Sequence, residues 1–150
     1  MKIDPAELGE FAARYTAAWC SGDGNSVAAF YSTDGSLTAN GDAPAVGRQA
    51  IAELAQSFMT AFPDLHLAMD GLQLRKECAE YHWTLTGTNT GPGGTGNRVR
   101  ISGFERWRIG ADGLIAASQG HFDSADYRRQ LQCGSEGLDR ILPPHTRTIQ

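Results

Sequence analysis

The sequence predicts an α+β fold, with helices first and a run of antiparallel strands afterwards. Three observations predict it. Apolar residues recur at three- and four-residue steps through the first sixty positions, and after Pro63 the period changes to two. The later segments are joined by glycine turns, without the strand–helix alternation of a doubly wound sheet.

Taken in order, Asp4, Pro5 and Glu7 supply an N-cap, a proline preset for the first helical turn and a capping-box acid. Behind them Leu8, Phe11, Ala12, Tyr15, Ala18 and Trp19 make one apolar stripe, which Gly22-Asp23-Gly24 stops. Ser26 to Tyr31 is a short amphipathic piece, and Ser36 to Asn40 a short strand. From Gly47 the chain turns helical again. Ile51, Leu54, Phe58 and Phe62 share a face, and Pro63-Asp64 ends the element. Leu65, Leu67 and Met69 then alternate with His66, Ala68 and Asp70 as a strand. Cys78 to Thr90 is rich in aromatic and β-branched residues, and Pro92 to Gly96 is a turn. Val99 to Ile109 and Leu114 to Phe122 are two further strands, reversed by Gly110-Ala111-Asp112-Gly113. Asp123 or Ser124 caps a short helix through Leu131. Residues 1–131 read as one domain and 132–150 as a tail without clear period.

Composition narrows the function classes. The chain has 150 residues, a net charge of −4, 41% hydrophobic and 20% charged residues, which is an ordinary globular balance. Nucleic-acid binding needs clustered Lys and Arg; the nearest cluster is Arg98, Arg100, Arg106 and Arg108 on one hairpin, so no nucleic acid is expected. No apolar run approaches the roughly 20 residues of a membrane span. Met1-Lys2-Ile3-Asp4-Pro5 lacks the apolar core of a signal peptide. Cys20, Cys78 and Cys133 are too scattered for a disulfide framework or a zinc motif. The expectation is a cytoplasmic protein.

Strand parity locates the chemistry. Val99, Ile101, Glu105, Trp107 and Ile109 share one face of their strand, so Glu105 is an acid on an apolar face. With Gly110 opposite Leu114, counting back sets Glu105 opposite Gln119 and one diagonal step from His121. On that register Glu105, Gln119, His121 and Asp123 point into one concavity; a slip of one residue separates Glu105 from His121. Carboxylates beside Trp107 and Ile101 lose solvation, which raises their pKa and suits them to removing a proton α to a carbonyl.

Each candidate also has a structural reading. Asp123 sits three residues before Asp126, where a helix N-cap belongs. Glu105 has Arg98, Arg100 and Arg108 as ion-pair partners, and His121 is suited to a hydrogen-bonded wall position. Tyr15, if buried, needs a partner for its hydroxyl, and a ligand oxygen serves. His121 and Asp123 with His66 or His82 lack any HExxH or CxxC pattern, so no metal is expected. There is no GxSxG elbow, and Gly91 to Gly96 opens no helix that would cradle phosphate.

Several segments together carry a family resemblance: Phe11 to Gly22 with Tyr15 and Trp19, Gly47-Arg48-Gln49-Ala50-Ile51, Phe62-Pro63-Asp64-Leu65, Trp83 to Gly91, Phe122-Asp123, and Arg129-Gln130-Leu131. In these the chain resembles the SnoaL-like polyketide cyclases of the nuclear transport factor 2-like superfamily, over roughly residues 7 to 131. The resemblance implies a cystatin-like cone, a curved sheet or α+β barrel wrapped around the first helix with a deep pocket between. It implies a homodimer or higher homo-oligomer. It implies cofactor-free acid–base catalysis of an intramolecular aldol closure or isomerisation (lyase or isomerase chemistry) on a small hydrophobic, carbonyl-rich substrate. Asp123 falls on the catalytic position, with His121 beside it where the family often has an aromatic residue. Tyr15 and Asn40 are similar to substrate-contacting residues. Trp19, Phe58, Phe62, Trp83, Glu105, Trp107 and Gln119 complete the expected substrate-binding set. Two alternatives stand beside this reading: a non-catalytic ligand-binding or oligomerisation module of the same fold, and an enzyme resembling the epoxide hydrolases of that superfamily.

Overall fold

The computed structural model describes residues 4–75 and 78–134. Helix α1 spans Pro5–Trp19, α2 Gly24–Ala28, α3 Arg48–Ala61 and α4 Ser124–Cys133. The strands are β1 (Tyr31–Ala39), β2 (Ala45–Val46), β3 (His66–Leu74), β4 (Ala79–Thr88), β5 (Arg98–Ile109) and β6 (Ile115–Phe122). They form one 6-stranded sheet in the order β2-β1-β6-β5-β4-β3. Neighbours pair antiparallel except β1 and β6, which run parallel. Because β2 and β3 are unpaired edges, the sheet is curved and unclosed, an open cone in place of a barrel. Among the described residues, no helix is long and apolar enough to cross a membrane.

The helices arise where the sequence places them. The Asp4 side chain accepts from the Ala6 N–H, Pro5 occupies the first turn, and Leu8, Ala12, Tyr15, Ala18 and Trp19 are buried as one face. A left-handed Gly22, with φ of 79°, follows the helix end. The short segment after it is helical over Gly24–Ala28 alone, pressed against α3: a Cβ on Gly24 would lie 2.2 Å from the Ala52 carbonyl oxygen. In β4, Ala79, Tyr81, Trp83, Leu85 and Gly87 face the core while the residues between them are half-exposed. That is the alternation of a sheet covered on one face.

Three differences from the sequence reading concern register and extent. β1 begins at Tyr31, five residues before the expected strand, because Tyr31 already pairs with Ile115 of β6, with a register shift between Tyr31 and Ser36 where the pairing resumes. α4 continues through Cys133 with Gly134 as its C-cap, so residues 132–134 of the expected tail belong to this helix and its end; the remainder, 135–150, lies outside the described residues. The turn between β5 and β6 forms as expected, with the Gly110 N–H donating to the Leu114 carbonyl at 2.8 Å. Beyond it, Ile109 pairs with Ile115 but Arg108 pairs with Ala117. Ala116 is therefore the extra residue of a β-bulge, and every β6 residue after it has the opposite parity.

Candidate functional site

The bulge decides which side chains meet. Glu105 stands opposite Gly120, and the inward positions of β6 are Ser118, Gly120 and Phe122. Gln119, His121 and Asp123 are exposed. The concavity expected to hold Glu105, Gln119, His121 and Asp123 together is corrected accordingly: Glu105 stays inside and the other three lie outside. Outside the sheet, His121 packs on Phe104 at 4.9 Å between ring centroids, with His82 stacked on the same ring at 5.4 Å. Asp123 is the N-cap of α4, and its Oδ1 accepts from the Asp126 N–H at 3.0 Å. A carboxylate so placed serves the orphan amide groups of the first helical turn.

A cavity of about 70 Å³ lies between the concave sheet face and helices α1 and α3. That is room for a handful of water-sized groups. Its wall is nearly all apolar: Trp19 from α1, Leu54 and Phe58 from α3, Leu67, Trp83, Leu85 and Ile101 from the far strands, and Leu37, Thr38, Ala39, Gly120 and Phe122 from the near ones. Among the described residues, Glu105 is the single ionisable side chain in that wall.

Three donors converge on one oxygen of Glu105. Tyr15 Oη donates to Oε1 at 2.9 Å, Trp107 Nε1 at 2.8 Å and Ser118 Oγ at 3.1 Å. Since the Tyr15 proton goes to Glu105, the 2.8 Å contact between Tyr15 and Tyr31 has Tyr31 as donor. The chain therefore runs Tyr31 to Tyr15 to Glu105, with both tyrosines fully buried. Among the described residues Oε2 receives no donor, which leaves it for the cavity. Burial pushes the Glu105 carboxyl above its ordinary value, and the Trp107, Tyr15 and Ser118 hydrogen bonds oppose that rise. Burial raises the Tyr15 and Tyr31 hydroxyls as well, with the nearby Glu105 charge adding to it, so both remain protonated donors.

Aromatic packing fixes this frame. Trp107 stacks on Tyr81 at 4.8 Å and 17°, and Tyr15 meets the edge of Trp107 at 5.0 Å. The Tyr81 hydroxyl is engaged in turn by Thr16 Oγ1, from the α1 residue directly after Tyr15. Such edge-to-face and stacked pairs each add to burial and restrict the rings to one arrangement.

Of the expected site residues, Trp19, Phe58, Trp83 and Glu105 line the cavity, and Tyr15 and Trp107 hold Glu105 from behind. Phe62 is core, completely buried and touching the Gly87 position and Tyr127. Asn40 has a left-handed backbone, φ 55°, and its Oδ1 accepts from the Phe122 N–H at 2.8 Å, so it fastens the end of β1 to β6. The alternative pairing of Glu105 with Arg98, Arg100 or Arg108 does not occur; those residues occupy the opposite face, and Arg98 faces Asp64. Among the described residues no group of three His, Cys, Asp or Glu is close enough to hold a metal ion. Sequence reasoning missed Ser118, Tyr31 and Gly120. Ser118 and Gly120 turn inward only because of the Ala116 bulge, which nothing local in Leu114 to Phe122 announces.

The geometry agrees with what the chain is similar to. A putative SnoaL-like polyketide cyclase from Jannaschia sp. CCS1 superposes with a TM-score of 0.74 at 14% identity, over 88% of this chain and 97% of that one. SalBIII, an epoxide hydrolase/cyclase-like enzyme of pyran ring formation in the polyether salinomycin, gives 0.71 at 18% identity, over 82% and 95%. A hypothetical protein of ketosteroid isomerase-like fold from Catenulispora acidiphila, in complex with trimethylamine, gives 0.71 at 15% identity, over 81% and 91%. At these identities the likeness is one of fold. No curated protein matches by sequence. The model of the SnoaL-like domain matches residues 12–118, from the middle of α1 to the Ser118 that holds Glu105, and the chain belongs to that family.

Proposed function

We propose that this protein is an acid–base enzyme of the SnoaL-like cyclase type, which binds a small hydrophobic carbonyl compound in its cavity and moves a proton with Glu105. The observation that carries this reading is the setting of one carboxyl group. Among the described residues, Glu105 is the sole ionisable side chain of an apolar cavity wall, with Oε1 held by three donors and Oε2 by none. Burial raises its proton affinity, so it is a stronger base than an exposed carboxylate, and the fixed donors aim it without occupying the reactive oxygen. Asp123, the position implied by resemblance, is spent on a helix cap at the surface.

In an aldol closure, Oε2 takes a proton from the carbon α to a carbonyl. That carbon then bonds to a second carbonyl carbon of the same molecule, and Glu105 returns the proton to the alkoxide so formed. In an isomerisation the proton returns to a different carbon. The names of two fold neighbours, a polyketide cyclase and an epoxide hydrolase/cyclase-like enzyme, support this class of chemistry. The second reading is a ligand-binding pocket without turnover, favoured by how little of Glu105 is exposed, 7%.

Exchange of the α-protons of cyclohexanone in D2O, followed by proton NMR, tests the proposal. The protein accelerates exchange, and Glu105→Gln lowers that acceleration about 100-fold, the usual scale of a lost general base. Equal rates in the two proteins would refute the role of Glu105, and binding without exchange would establish the second reading.

A further inference from the structure

Nothing in the packing requires a glycine at position 120. Gly120 stands on β6 directly opposite Glu105, faces inward between Ser118 and Phe122, and lines the cavity. Other glycines are held by close neighbours. An added Cβ would lie 2.2 Å from the Ala52 carbonyl oxygen at Gly24, 2.1 Å from that of Thr60 at Gly91 and 2.3 Å from that of His121 at Gly103. At Gly120 it would meet the Thr38 carbonyl oxygen at 3.4 Å and Glu105 Cγ at 3.7 Å, both ordinary contacts, and its φ lies outside the left-handed region. Alanine therefore fits there, and a glycine inside a strand only weakens it. Gly9 and Gly71 have the same freedom, but neither lines the cavity.

This bare position adjoins the acid. On the concave face Glu105 has four neighbouring positions: Gly103 and Trp107 along β5, Tyr81 across on β4 and Gly120 across on β6. Trp107 and Tyr81 are stacked rings, and Trp83 covers Gly103, its Cζ2 2.8 Å from where a Cβ would be. Side chains directly opposite in an antiparallel pair have Cβ atoms about 5 Å apart, so a side chain at 120 would be the nearest cover of Glu105 from β6. With glycine there, that flank stays open to the cavity.

We propose that Gly120 is the specificity-determining position of the cavity: the space a side chain would take at 120 is the seat of the α-carbon group of a neutral ketone. A carbon placed there touches Glu105, whose carboxyl is one bond beyond Cγ. That this carbon is the reacting one rests on the acid–base reading above. Among the described residues the wall holds no Lys, Arg or His, so an anionic ligand would lie beside Glu105 without a counter-charge. In a cavity of about 70 Å³ one added methyl group removes much of the room, so residue 120 sets how large a ketone reaches the acid.

The test compares acetone with cyclohexanone on the whole protein, as wild type and Gly120→Ala, by chemical-shift titration of the 15N-labelled chain and by urea unfolding. Gly120→Ala is at least as stable as the wild type. It binds cyclohexanone about tenfold or more weakly, the value of one methylene in an apolar pocket, and acetone within about twofold. Gly120→Val extends the loss to acetone. Ketone α-proton exchange in D2O reads Glu105 separately: binding that follows this pattern without exchange supports the seat and overturns the base. A folded Gly120→Ala with an unchanged ratio of cyclohexanone to acetone affinity overturns the seat, even where exchange persists. So does a Gly120→Ala protein less stable than the wild type, since glycine would then serve the fold, and so does a wild type that binds neither ketone.

Discussion

Removing the Tyr15 hydroxyl is the most informative single change to the Glu105 network. In Tyr15→Phe, Glu105 Oε1 loses its 2.9 Å donor and the Tyr31 hydroxyl loses the acceptor 2.8 Å away. A hydrogen bond to a charged group contributes about 1.5–3 kcal/mol and one between neutral groups about 0.5–1.5 kcal/mol. The difference, roughly 1.4 kcal/mol, falls on the ionised carboxylate alone and corresponds to a further rise of about one pKa unit. The sign for stability follows. Burial already holds the folded-state pKa of Glu105 above its unfolded value. Its contribution is therefore complete below the ordinary glutamate range and is lost as pH rises through the raised value. Tyr15→Phe deepens that loss, so its cost is about 2–4 kcal/mol at a pH above the raised carboxyl range, where the carboxylate is ionised, and about 1–2 kcal/mol at an acid pH below the ordinary glutamate range. Urea unfolding at both pH values measures the costs, and 13C NMR of the Glu105 carboxyl measures the titration directly. An unchanged carboxyl midpoint, together with equal costs at the two pH values, would refute the reasoning.

Two other substitutions separate scaffold from site. Asp123→Ala loses the α4 cap and destabilises the protein by about 1 kcal/mol in urea unfolding. Its ketone α-proton exchange stays at the wild-type rate; a collapse of exchange at intact stability would return Asp123 to the catalytic role. Gly24→Ala puts a methyl group 2.2 Å from the Ala52 carbonyl and 3.0 Å from the Gln56 backbone nitrogen, so α2 and α3 must separate. The expected cost is about 1–3 kcal/mol, and an unshifted urea midpoint would show that the two helices have slack there.

Local physics made much of this molecule readable from its residues. The Asp4 cap and the stripe from Leu8 to Trp19 specify α1, because capping and helical period act within one or two turns. The alternation from Ala79 to Gly87 specifies β4 in the same way. Parity along β5 alone identified Glu105 as an acid facing the apolar side, and the structure puts it in the cavity wall.

Tertiary structure decided the partners of Glu105. Parity is exact within a strand, but pairing between strands depends on every inserted residue, and the single bulge at Ala116 exchanges Gln119, His121 and Asp123 for Ser118, Gly120 and Phe122. That bulge lies where β1, running parallel from more than eighty residues away, shifts its own register between Tyr31 and Ser36. Gly35 packs there so closely that a Cβ would stand 2.9 Å from the Ile115 carbonyl. A contact of that separation leaves no periodic trace in the residues around Ala116, so the inward face of β6 is set only when the distant strand docks.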